Sequence, residues 1–219
     1  MKIKYNNSWH EKNYEWRRAV NQKYNMDWIK FFNFEKYEII SIDELAKEKI
    51  DIRNASQYQV VWLRNIDRLI ELLPPNIQPN NYHLLDVGCG AGISTIYFYD
   101  NYPFKTFQGF DFSKNLLFYA KRNFELYSKK RNNKTNTIEF INSDARNYKL
   151  NDQPIFMFMY NPFEFPIAKD FLQNNLNNLR KNNSIIAIAN DIYIEDILKL
   201  NIHNQIIRDS INNLSLIFF

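Results

Sequence analysis

Leu84-Leu85-Asp86-Val87-Gly88-Cys89-Gly90-Ala91-Gly92-Ile93-Ser94 is the stretch on which the architecture of this chain turns. A short apolar run carrying an acid leads into three of the chain's four glycines, packed within five residues. A strand that ends in such a loop and then opens a helix lets a ligand approach the backbone where any Cβ would collide. The spacing is G-x-G-x-G. A dinucleotide fingerprint would be G-x-G-x-x-G, and Ile93 occupies its last place here. A ligand with a nucleoside and an amino-acid tail therefore fits better than a pyrophosphate.

Outward from that loop the pattern is regular. Short apolar runs fall at 83–87, 106–111, 137–142, 154–160, 184–190, 203–208 and 214–219, with amphipathic stretches at 93–99, 113–127, 167–180 and 192–200. This alternation predicts an α/β domain with a mostly parallel sheet, closed by an antiparallel pair at its end. Upstream, Ser41-Ile42-Asp43-Glu44 fits a capping box, and the apolar spacing from Val60 to Leu73 predicts a helix over 57–73 that Pro74-Pro75 stops. Residues 1–55 are aromatic and charged, with Trp9, Trp16, Trp28, Phe31, Phe32 and Phe34. They are expected to form a helical extension that caps the acceptor side of the pocket, leaving 56–219 as the α/β domain.

Composition narrows the class. Over 219 residues, a hydrophobic share of 45% supports a packed core, and the net charge of +4 does not by itself call for nucleic acid. Lys121, Arg122, Lys129, Lys130, Arg131 and Lys134 face Glu125 alone, which reads as a solvated helix end. The apolar runs are too short for a membrane span, and the polar start shows no signal peptide, so a cytoplasmic protein is expected. The single cysteine, Cys89, excludes an internal disulfide, and no His, Asp or Glu cluster has ligand spacing, so no metal is expected.

Asp86-Val87-Gly88-Cys89-Gly90-Ala91-Gly92 resembles motif I of the class I, Rossmann-like S-adenosylmethionine-dependent methyltransferases. Further motifs follow in order. Asp111, in Gly109-Phe110-Asp111-Phe112-Ser113, matches the family's ribose-binding acid, with Phe112 beside it. Asp144, followed by Ala145, matches the acid set against the adenine amino group. Asn161-Pro162-Phe163 looks like a shortened form of the Asn-Pro-Pro-Tyr/Phe motif of amino-methyltransferases. A narrower resemblance, to a group of small bacterial methyltransferases, adds Pro103-Phe104-Lys105 and places Tyr58 upstream of motif I as a further cofactor contact. The resemblance implies a seven-stranded sheet in the order 3-2-1-4-5-7-6 with helices on both faces, and S-adenosyl-L-methionine as cofactor. It also implies that Tyr58, Asp86, Gly88, Cys89, Gly90, Gly92, Asp111, Phe112, Asp144 and Ala145 line its site.

Methyl transfer from a sulfonium is an in-line displacement, so the protein mainly aligns nucleophile and methyl carbon. Asn161 is the expected orienting residue and Glu164 the expected base, with Tyr160 and Asp191 as further candidates. Cys89 suits a small packing position in the loop better than a nucleophile. The preferred acceptor is an oxygen or nitrogen of a small molecule or sugar. A protein or RNA acceptor, or a non-catalytic binding subunit on the same fold, are the competing expectations.

Overall fold

The computed structural model describes residues 14–48, 51–132 and 137–219; Trp9 and Lys134 of the expectations above lie outside them. Seven strands form one sheet: β1 (His83–Val87), β2 (Phe107–Asp111), β3 (Ile138–Asn142), β4 (Ile155–Tyr160), β5 (Ile185–Ala189), β6 (Gln205–Asp209) and β7 (Leu214–Phe218). Their order is β3-β2-β1-β4-β5-β7-β6, as expected. The first five run parallel and β7 lies antiparallel between β5 and β6.

The pleat divides the core in two. On β4, Phe156 and Phe158 join one apolar cluster while Ile155, Met157 and Met159 join the other. Both faces are buried, which is why the central strands read as unbroken apolar runs. The helices are α1 (Tyr14–Phe32), α2 (Ile42–Ala46), α3 (Leu63–Glu71), α4 (Ile93–Asn101), α5 (Lys114–Arg131), α6 (Phe165–Lys181) and α7 (Ile194–Lys199). Residues of α1, α3, α4 and α5 pack into the first cluster, and those of α6 and α7 into the second. No helix separates β3 from β4. Where a helix would cover β2 and β3, Tyr148 stacks on Phe110 at 4.1 Å and donates to Gln108, which in turn donates to Glu139 at 2.6 Å.

One expectation needs correction. The helix predicted over 57–73 spans only Leu63–Glu71. Asn25 of α1 accepts from the Leu63 amide at 3.0 Å and donates to the Val61 carbonyl at 2.7 Å, so a tertiary contact sets the helix start. Residues before it run as an extended strap, in which Tyr58 and Ile40 exchange backbone hydrogen bonds of 3.0 Å.

Within the extension, the first helix packs into the core and not over the cleft, while Leu45, Asp51, Arg53 and Ala55 line the cleft. Helix α1 buries Ile29 and Phe32 in the same cluster as Leu84 and Phe156 of the sheet. A buried polar cluster ties it in further: Tyr24 meets Tyr97 at 2.8 Å, and Tyr97 and Tyr102 both donate to Asp67. Trp28 and Phe32 are therefore core residues of the α/β unit. What reaches the cleft is the chain after α1, through Leu45 and the strap. The boundary expected at residue 55 falls inside that strap.

Among the described residues, no helix is long and apolar enough to cross a membrane.

Candidate cofactor and acceptor site

The loop between β1 and α4 makes three left-handed turns, with φ of +70° at Gly88, +54° at Gly90 and +75° at Gly92. Its shape is held from both sides. Gly88 and Cys89 both donate backbone hydrogen bonds to the Phe110 carbonyl of β2, at 2.9 and 3.0 Å. Asp86 accepts from Ser94 and Thr95 at 2.6 Å each, which fixes the first turn of α4 to the end of β1. Burial pushes the Asp86 carboxyl up to about 6, against the lowering effect of those two hydroxyls.

Asp111 ends β2 and is 5% exposed. One carboxylate oxygen accepts from the Gly90 amide and the other from the Ser113 amide, each at 2.9 Å. Burial raises its carboxyl to about 6 as well, with the neighbouring charges of Asp86 and Glu48 adding a little. A carboxylate offers about four lone-pair sites, so two remain for ribose hydroxyls. Asp111 thus both caps the turn before α5 and keeps acceptor capacity toward the cleft.

Asp144 is placed differently. Arg146 folds back on it, with Nε 3.0 Å from both carboxylate oxygens, and reaches Asp51 of the strap at 2.6 Å. The Arg146 guanidinium holds the Asp144 carboxyl below the usual carboxylate range. Asp51 is also gripped by Arg53 at 2.8 Å. A chain of four charges therefore joins the strap to the loop after β3.

These groups line one cleft of about 940 Å³, its open mouth included. Asp86, Gly88, Cys89, Asp111, Phe112, Asp144 and Ala145 lie in its wall, as do Tyr58 and Asn161. The strap forms the opposite wall from Asp51 to Val61. It is pinned over the end of β4: Ala55 bridges Phe163, and Glu164 donates its backbone N–H to the Asn54 carbonyl at 2.8 Å. A Cβ built on Gly90 would stand 2.1 Å from the Tyr58 ring, so the loop and strap interlock at that glycine. The Tyr58 hydroxyl is buried, and burial raises its pKa well above the ordinary tyrosine value.

Asn161 follows β4 with φ +44°, a left-handed turn that asparagine tolerates better than most residues. No hydrogen bond joins its side-chain amide to another described residue, and it faces the cleft. Glu164 is not brought to the same place. It is exposed, stands outside the lining and serves as the residue before α6. The helix that begins immediately after it keeps this carboxylate on the rim. Asp191 is also taken up structurally, accepting from Arg208 at 2.9 Å and from Ser215. Cys89 is buried against Gly109, where an added Cβ would come within 2.9 Å of its Sγ, and burial raises its thiol well above the ordinary value. It is a packing residue, not an ionised nucleophile.

The strap is the part that motif reasoning missed. Gln57-Tyr58-Gln59-Val60 alternates exposed and partly buried positions, a period of two that marks extended chain. Arg146 and Asp51 carry no sequence signal of their own.

A Rossmann-like sheet with a glycine-rich first loop and a carboxylate at the end of the second strand is the arrangement that nucleoside-binding folds use. Residues 84–182, which contain every one of these groups except the strap, match the family model described as a methyltransferase domain. The match takes in 99 of the chain's 219 residues, among them the glycine loop, Asp111, Asp144 and Asn161.

Among solved structures, it is similar to ribosomal protein L11 methylase of Lactobacillus delbrueckii subsp. bulgaricus, at 16% identity and a TM-score of 0.46. That match covers 72% of this chain and 76% of the other. M. capricolum TrmK, solved with S-adenosyl-homocysteine, is 16% identical with a TM-score of 0.42, over 69% of this chain and 66% of that one. Thermoplasma acidophilum 1320 is 16% identical with a TM-score of 0.48, over 81% and 95%. No curated protein matches the sequence.

Proposed function

We propose that this chain is an S-adenosylmethionine-dependent methyltransferase that methylates an oxygen or nitrogen of a small molecule or sugar, with Asn161 orienting the acceptor. The observation that carries the reading is the Asn161 amide. It lies just past β4, in the wall of the same cleft as the glycine loop and Asp111, without a hydrogen-bond partner among the described residues.

The cofactor supplies an activated methyl group on a sulfonium, and the chain's own residues supply position. The free lone pairs of Asp111 accept from the ribose hydroxyls. Asp144, steadied by Arg146, stands at the adenine end, and the buried Asp86 and Asp111 carboxylates favour a cationic ligand over the glycine loop. Asn161 accepts a hydrogen bond from the acceptor's N–H or O–H and turns its lone pair toward the methyl carbon. The strap, pinned to Phe163 and Glu164, limits access of water to that point.

Calorimetry tests the cofactor half: S-adenosylmethionine and S-adenosylhomocysteine bind and NAD does not. Asp111→Ala loses about 1.5–3 kcal/mol of cofactor affinity with an unchanged circular dichroism spectrum. Methyl-labelled cofactor incubated with fractionated host lysate tests the acceptor half. Label in the small-molecule fraction supports the reading, and label confined to RNA or protein overturns it.

A further inference from the structure

A second, smaller pocket adjoins the cofactor cleft and shares Asn161, Pro162 and Phe163 with it. It encloses about 330 Å³, mouth included, between the carboxyl ends of β4 and β5 and helices α6 and α7. Its walls are apolar: Met159, Phe163, Ala168, Ile188, Ile194 and Ile197. Ile192 also stands at its lining, with 55% of its surface exposed.

The polar groups of this pocket are few and specific. Neighbouring strands β4 and β5 pair in parallel with Tyr160 opposite Ala189, so Asn161 and Asn190 follow side by side. Both adopt left-handed turns, with φ of +44° and +57°, and both line the pocket. Neither side-chain amide has a hydrogen-bond partner among the described residues. Asp191 is the ionisable acid of the lining, and Arg208 and Ser215 already hold its carboxylate. An entering molecule therefore meets the two amides, the Tyr193 hydroxyl, apolar walls and no uncommitted charge. A sugar buried here would leave most of its hydroxyls unpaired, and a phosphate would find no cation.

We propose that this pocket holds the body of the methyl acceptor, and that the acceptor is an uncharged molecule with an aromatic or branched alkyl body. A single hydroxyl or amine on that body meets the Asn161 and Asn190 amides at the seam between the two cavities. The inference rests on the methyltransferase reading and narrows it, favouring a hydrophobic phenol or amine over a sugar.

Ligand-observed saturation-transfer NMR on the full chain loaded with S-adenosylhomocysteine tests it, using 4-methylphenol, methyl glucoside and adenosine monophosphate as probes. The expected result is a signal from 4-methylphenol alone. Ala168→Phe, which fills the pocket, weakens that binding at least tenfold and leaves affinity for S-adenosylhomocysteine within twofold. Asn190→Gly, which keeps the left-handed turn, weakens it severalfold and serves if the larger substitution disturbs folding. If S-adenosylhomocysteine binds but 4-methylphenol does not, or if methyl glucoside or adenosine monophosphate binds better, the pocket assignment is overturned. Failure of S-adenosylhomocysteine itself to bind overturns instead the methyltransferase reading on which it rests.

Discussion

The Tyr58 ring occupies the space that a side chain at Gly90 would need, with Cε2 only 2.1 Å from an ideal Cβ there. The strap can lie over the glycine loop only because that position is bare. Gly90→Ala meets two penalties: a left-handed φ that costs an L-residue about 1–2 kcal/mol, and displacement of the ring. We expect a lowered melting temperature and at least tenfold weaker cofactor binding. Tyr58→Ala in the same chain relieves the second penalty, so the double variant should bind better than the two single losses added together. Strict additivity in calorimetry would show that loop and strap are independent.

Asn123 is fully buried and does the work of three backbone partners. It accepts from the Glu35 amide at 2.8 Å and donates to the carbonyls of Glu35 and Ala91 at 3.0 Å each. Asn123→Ala leaves buried polar groups on both the N-terminal segment and the glycine loop. Unsatisfied groups of this kind cost roughly 1–3 kcal/mol each, and urea denaturation should read a loss in that range or above. Asn123→Asp should not rescue it, because a carboxylate cannot donate to the two carbonyls.

Asp86 and Asp111 both titrate near pH 6 in the folded chain, above the ordinary carboxylate range, chiefly because they are buried. The folded state thus binds protons more tightly than the unfolded state between about pH 4 and 7, and these two groups destabilise the ligand-free protein increasingly as pH rises through 6. On the proposed assignment cofactor binding runs the other way, since an ionised Asp111 would receive the ribose hydroxyls and both carboxylates would favour a cationic ligand. Thermal-shift titrations at pH 5, 6 and 7.5 should show the cofactor-induced rise in melting temperature shrinking toward acid. Asp111→Asn should flatten that dependence. A cofactor-induced shift that is constant from pH 5 to 7.5 would contradict the assignment.

Asn161 allows its chemistry and its backbone role to be separated. Asn161→Gly keeps the left-handed turn and removes the amide, so stability should stay within about 0.5 kcal/mol of the parent. Asn161→Ala imposes the strained φ and should cost about 1–2 kcal/mol. Both should bind S-adenosylmethionine nearly normally and lose roughly 10²-fold in turnover, measured with the acceptor once it is in hand. Equal losses of affinity and turnover would make Asn161 part of the cofactor wall instead.

Arg146 links Asp144 to Asp51 of the strap. Arg146→Ala should speed hydrogen exchange over residues 51–59 while leaving β1 to β5 protected, and high salt should do the same to the parent chain. Unchanged exchange in the strap would leave its backbone bonds to residues 162–164 as sufficient anchorage.

The sheet was legible because its information is local and repeated. Runs such as Ile155–Tyr160 are continuous and apolar where both faces are buried, and the glycine spacing marks the one loop that must be bare. Asp111 and Asp144 could be located because each stands at the carboxyl end of an apolar run, Asp111 as the last residue of β2 and Asp144 two residues past β3. The strap was not legible as such: its alternation over Gln57–Val60 borders the amphipathic pattern of α3, and the choice between helix and extended chain is made by Asn25, far away in sequence. Glu164 stands outside the cleft lining for a related reason. A carboxylate three residues past Asn161 is near the site along the chain, but the start of α6 leaves it exposed on the rim.

Among the described residues, nine positions other than glycine take a positive φ, and eight of them are asparagine. All four glycines, meanwhile, stand in the glycine loop or, as Gly109, directly against it. The two residue types have divided the left-handed corners of this protein between them by crowding. Where nothing presses on the turn, as at Asn183 after α6 or Asn213 in the β6–β7 hairpin, an amide side chain suffices. Where a side chain presses in, as Pro162 does at Gly88, Tyr58 at Gly90 and Phe140 at Gly92, only hydrogen fits. Exchange between the two should therefore run in one direction: glycine can replace the peripheral asparagines, but asparagine cannot enter the loop. The peripheral corners of this chain can therefore drift while its glycine loop stays frozen.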